Sequence, residues 1–175
     1  MNDIIDADHH KMEKYLALVT KRKACRLCDD LTNPSEVCGG EFDRDHIGPW
    51  SLWQGNINSP VVIIGQDWGN QETFITSKGL EPPCSENDRK TNGMLVDLLN
   101  SIGIKIERPK GYETIGKLFF TNPILCLKPG KAQDPVKEEW FKTCGVNFIR
   151  PLLEILKPFV VITLGVQAYR GLEHS

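Results

Sequence analysis

The chain has no apolar run long enough to cross a membrane, which takes roughly 20 consecutive apolar residues. Its first residues carry Asp3, Asp6 and Asp8, where a secretory leader would carry basic and then apolar residues. These two absences predict a cytoplasmic protein. An excess of positive charge is also missing: 21 Lys and Arg stand against 23 Asp and Glu, a net charge of −2. That argues against a protein that coats nucleic acid by charge alone. Lys21, Arg22, Lys23 and Arg26 still form one local basic run, readable as a binding face or as a solvated helix end. No repeat of solenoid length is present.

What remains suits one globular domain spanning residues 1–175, with 40% apolar residues to fill a core. Three short apolar runs read as buried strands: Val61–Ile64, Leu118–Thr121 and residues 159–164. Helical spacing is found at Met12, Tyr15, Leu16 and Val19, with Asp6 or Asp8 as the expected cap. Met94, Leu95, Leu98 and Leu99 predict a helical face closed by Gly103. Asp134-Pro135 predicts a helix start, with helix to about Leu156, a kink near Pro151 and a stop at Pro158. A last helix begins at Val166. Residues 29–59 read as loop with a short strand near residues 50–54. Residues 66–90, which include Pro82-Pro83, read as a long functional loop.

The first strand runs into Gly65-Gln66-Asp67-Trp68-Gly69. Ligands of open α/β sheets bind beyond the carboxyl ends of the strands, so Asp67 is a candidate for chemistry. An aspartate there would equally serve as a turn cap. Six cysteines in a reducing compartment suggest metal or cluster ligation before disulfides. Cys25 and Cys28 have C-x2-C spacing, and Cys126 and Cys144 add a second pair; together they make a four-thiolate site for an iron–sulfur cluster or zinc. A local zinc knuckle from Cys25, Cys28, Cys38 and His46 is the lesser alternative. Cys38 and Cys84 otherwise read as free thiols.

The order of these motifs resembles the uracil-DNA glycosylase superfamily, in particular its iron–sulfur, family 4-like branch. The resemblance covers about residues 12–172. It rests on Cys25-x2-Cys28, on Gly65-Gln66-Asp67-Trp68-Gly69, and on Asn92-Gly93-Met94-Leu95 through Gly103. It continues in Thr121-Asn122-Pro123-Ile124-Leu125-Cys126, and then in Cys144, Pro158 and residues 161–165. It implies a three-layer α/β/α sandwich on a parallel sheet, in the order Leu118–Thr121, Val61–Ile64, residues 160–164. It also implies a 4Fe–4S cluster on Cys25, Cys28, Cys126 and Cys144, with zinc as the other candidate metal.

The activity implied is hydrolysis of the N-glycosidic bond of uracil, or a related deaminated base, flipped out of DNA. The resemblance makes Asp67 the catalytic carboxylate, stabilising an oxocarbenium-like sugar or orienting water. Asn122 would read the uracil edge with its donor and acceptor. Phe74 or Trp68 would stack on the base, and Gly65 and Gln66 would offer backbone N–H groups. Lys128 and Lys131 would contact phosphates or lie solvated.

Two features depart from the family pattern. Gln66-Asp67 stands where cluster-bearing members often have Glu-Ala. The chain also reaches Ser175 before the family's His-Pro loop, and His174 has no proline beside it. The expectation is therefore a C-terminally short member whose last edge strand is missing, with an exposed sheet edge prone to self-association. The alternative function is an impaired homologue that only binds DNA or a partner.

Overall fold

Short β-branched and aromatic runs become strands because such side chains pack well on a pleated, buried surface. Strands β1 (Val61–Ile64), β2 (Leu118–Thr121) and β3 (Val160–Thr163) pair in parallel in the order β2-β1-β3. This is the expected order. The computed structural model describes residues 2–48, 55–79, 91–104, 118–131 and 134–175. The strand expected at residues 50–54, Pro82-Pro83 and Cys84 lie outside these.

The helices are α1 (Asn2–Lys23), α2 (Gln71–Thr76), α3 (Thr91–Ser101), α4 (Glu138–Cys144), α5 (Arg150–Leu156) and α6 (Val166–Glu173). Side chains alternate across a strand, so each strand serves both faces of the sheet. Val62, Ile64 and Phe119 pack with Tyr15, Leu18, Phe148, Leu152 and Ala168 on one face. Ile63, Leu118 and Phe120 pack with Leu95 and Leu99 on the other. Helices thus cover both faces, giving the three-layer α/β/α sandwich. Among the described residues β3 is an edge strand, with Val160 half exposed and Phe159 almost fully so.

Several local expectations change. Helix α1 starts at Asn2, because no Pro or Gly before Asp8 interrupts it. Asp8 does not cap it; its carboxylate accepts from Asn58 Nδ2 at 3.3 Å instead. Part of the supposed loop 66–90 is α2, capped by Asn70 Oδ1, which accepts from the Thr73 N–H at 3.0 Å. Pro34–Gly40 is a 3-10 segment whose Asn33 and Glu36 form a capping box. On α3 only Leu95 and Leu99 face the sheet; Met94 and Leu98, one helical step round, are exposed. Gly103 does close α3, at φ 78°, with the Ile104 N–H reaching Leu99 O.

Asp134 does not cap a helix. Its Oδ2 accepts from the Lys131 N–H at 2.8 Å, closing a turn, and α4 starts at Glu138. The kink near Pro151 is a π-helical turn, Gly145–Ile149, in which the Arg150 N–H reaches back to Gly145 O. Pro151 lacks the donor that regular pitch requires, and the preceding turn widens to absorb the loss.

Candidate functional site

Gly65 follows β1, and its N–H extends the ladder to Thr121 O at 2.9 Å. Its N–H is therefore committed to the sheet, and the expectation that it serves a ligand is corrected. Its contribution is the side chain it lacks. A Cβ on residue 65 would overlap Asn122 Oδ1. Adjacent parallel strands, ending level, put the two residues face to face.

Asn122 is completely buried, yet neither its Oδ1 nor its Nδ2 has a hydrogen-bond partner among the described residues. Thr121 Oγ1 and Trp68 Nε1 are likewise buried and unpartnered. A Cβ on Gly48 would lie 3.3 Å from the first and 3.8 Å from the second, so these two atoms line one spot. A buried polar group without a partner costs about 1–3 kcal/mol. Four such atoms at the carboxyl ends of β1 and β2 are what a polar ligand would satisfy.

Asp67 lies in the turn after β1, and both its oxygens are engaged. Oδ1 accepts from the Gly69 N–H at 2.6 Å, which is the turn-capping role. Oδ2 accepts from Gln66 Nε2 at 2.9 Å and from Lys128 Nζ at 3.1 Å. Both members of the Asp67–Lys128 ion pair are buried. Lys128 is thus neither solvated nor at a phosphate-binding surface, as either sequence reading would have it; Lys131 is exposed. Phe74 is buried in an apolar cluster with Val37 and Leu127. Its ring meets Trp68 edge-to-face at 5.6 Å and Phe42 at 6.5 Å. Phe74 is therefore committed to packing, whereas Trp68 remains partly exposed.

Cys25, Cys28, Cys126 and Cys144 line one small cavity, together with Arg22 and Thr143. Two sets of hydrogen bonds and one helix assemble it. Asn33 Nδ2 donates to Arg22 O and Cys25 O, both at 2.9 Å, which fixes the chain as it leaves α1. Thr32 and Leu127 exchange backbone hydrogen bonds of 2.9 and 2.8 Å, holding the first pair of cysteines near Cys126. Helix α4 delivers Cys144. Burial pushes the Cys28 and Cys126 thiols up, and the Cys144 thiol to about 12. Among the described residues no three His, Cys, Asp or Glu side chains are grouped to hold a metal ion. The local zinc knuckle is not formed: Cys38 is exposed and lies outside the cavity.

Two buried pairs escaped the sequence reading. One is Asp67–Lys128. The other is Arg22–Asp43, bidentate at 2.8 and 2.7 Å. The rest of the basic run is largely taken up in exposed ion pairs, with Lys23 on Asp45 and Arg26 on Glu36. Its one sequence clue was Arg22 falling at helical spacing from Tyr15, Leu18 and Val19, on the buried face.

The fold and the strand-end geometry define an α/β protein with a candidate ligand site at the carboxyl ends of adjacent parallel strands. The profile of the Uracil DNA glycosylase superfamily matches residues 52–174. The chain belongs to that superfamily. Membership carries a DNA glycosylase-type function at family level, and with it a DNA substrate. No individual curated protein matches the chain. Among the described residues no helix is long and apolar enough to cross a membrane.

Proposed function

We propose that the chain hydrolyses the N-glycosidic bond of uracil, or a related deaminated base, flipped out of DNA. The observation that carries this reading is the Asn122 amide, which is buried, without a partner among the described residues and pressed against Gly65. A uracil edge offers an N–H donor beside a carbonyl acceptor, the complement of one amide. Trp68 is the ring proposed to stack on the base, since its indole is partly exposed and its N–H is free of partners among the described residues. Asp67 would place negative charge near the sugar carbon as it becomes cationic. Its three donors hold the carboxylate in one orientation.

The four-thiol cavity is proposed to hold a 4Fe–4S cluster. Buried thiols resist ionisation, and a cationic metal centre is what would stabilise them as thiolates. Four thiols around one cavity are the ligand set that a 4Fe–4S cluster takes, with zinc as the other metal such a set would hold. Bound there, the cluster would cross-link the end of α1 to the loop after β2 and to α4.

The test is uracil release from single- and double-stranded oligonucleotides carrying one deoxyuridine, followed by alkaline cleavage of the abasic site. Release by the wild type and its loss in N122A support the reading. Binding of the oligonucleotide without release, by protein that retains its metal, would favour the binding-only alternative.

A further inference from the structure

We propose that Lys128 is a positioning residue for the Asp67 carboxylate, an assignment that rests on the glycosylase reading above. Lys128 is 2% exposed. A buried ammonium is costly unless paired and hydrogen-bonded. Its Nζ lies 3.1 Å from Asp67 Oδ2 and donates to Asp134 O at 2.8 Å. The carboxylate is thereby approached from outside its own turn. Gly69 and Gln66 hold it from within the turn; among the described residues only Lys128 ties it to another part of the chain.

The backbone reinforces that tie. The Lys128 N–H donates to Gly69 O at 3.1 Å, and Asn70 Nδ2 donates to Gly130 O at 2.8 Å. The turn carrying Asp67 and the loop after Cys126 therefore form one hydrogen-bonded body. Lys128 stands two residues beyond Cys126, so the lysine also links the thiol-lined cavity to the carboxylate. A carboxylate fixed in advance stabilises a developing cation without reorganising during the reaction. Lys128 touches no reacting atom in this scheme. It acts through Asp67.

The experiment is a kinetic cycle on the full chain with four proteins beside the wild type: K128M, K128R, D67N and D67N/K128M. Uracil release is measured at several concentrations of a deoxyuridine oligonucleotide, and folding is followed by circular dichroism. K128M should lower kcat by about 10- to 100-fold while KM moves by no more than about 3-fold, as expected when a reacting group is mispositioned. K128R should recover most of the rate. In the D67N background K128M should cost nothing further, because the residue it positions is already gone. That double variant leaves no uncompensated buried charge, so the comparison survives if K128M alone unfolds. Full additivity of the two substitutions, or an active K128M with unchanged kcat, overturns this inference alone. An inactive wild type overturns the glycosylase reading and this inference with it.

Discussion

Gly65 and Asn122 compete for the same space: the Asn122 amide oxygen occupies the position that any side chain on residue 65 would need. The glycine is therefore a steric requirement of the Asn122 placement rather than a flexible joint. Its φ is not among the positive values found elsewhere in the chain, so it is the missing Cβ, not backbone freedom, that the site requires.

G65A should displace the Asn122 amide while leaving the sheet register intact, since the Gly65 N–H keeps its Thr121 partner. Uracil release should fall at least about 10-fold, given the price of misplacing a substrate-binding group. Melting followed by circular dichroism should show a cooperative transition like that of the wild type. Wild-type activity in G65A would show that Asn122 does not read the base.

N122A should separate function from stability. The wild-type amide is buried without partners among the described residues, and removing such a group relieves a cost of about 1–3 kcal/mol, offset by the small cavity that remains. N122A should therefore match or exceed the wild type in urea denaturation while losing most uracil release. A large loss of stability would mean that the amide is satisfied by the fold.

The thiol cavity predicts a coloured protein. Iron and sulfide content should fall together in C25S, C28S, C126S and C144S, and the broad visible thiolate-to-iron absorption should go with them. C38S should keep both, because Cys38 lies outside the cavity. Chelation under reducing conditions should lower the melting temperature of the wild type, since metal binding is coupled to folding. Zinc without iron or sulfide in the purified protein would replace the cluster assignment.

His46 gives a pH dependence with a definite sign. Burial lowers its pKa below the ordinary 6.5, with Asp45 opposing and Arg22, Arg44 and Lys23 reinforcing the shift. The unfolded chain thus takes up this proton more readily than the folded one. The stability gained by keeping the ring neutral is full above the unfolded value and is lost as pH falls through it toward the depressed one. The wild-type melting temperature should decline between about pH 7 and about pH 5, the range over which histidine titrates, and decline less in H46Q. Asp45, which Lys23 holds below 3.8, contributes its loss only at lower pH.

The strand segments and the grouping of four cysteines were legible in the residues, and the strand order followed from the family resemblance. Buried strands carry a local signature, and thiol spacing survives as a pattern. Local rules failed where a side chain had a better distant partner. Asp134 carries a strong capping signature but closes the turn at Lys131 instead. Lys128 looks like a surface lysine, yet it is drawn inside by a carboxylate 61 residues away. Phe74 looked able to stack on a base, but Trp68 and Phe42 enclose it in an apolar cluster.

By itself, then, the sequence determined the layers: short continuous apolar runs become strands that serve both faces of the sheet, and stripes at helical spacing become the helices that cover them. The tertiary structure alone decided which polar groups meet. Parallel pairing of β1 with β2 sets Gly65 beside Asn122, and the loop after β2 folds Lys128 onto Asp67. Such encounters depend on register and loop closure over many residues. Hydrogen bonds form only at contact distance, and charge interactions fade over about 10 Å of salt solution, so no local pattern in the chain records them.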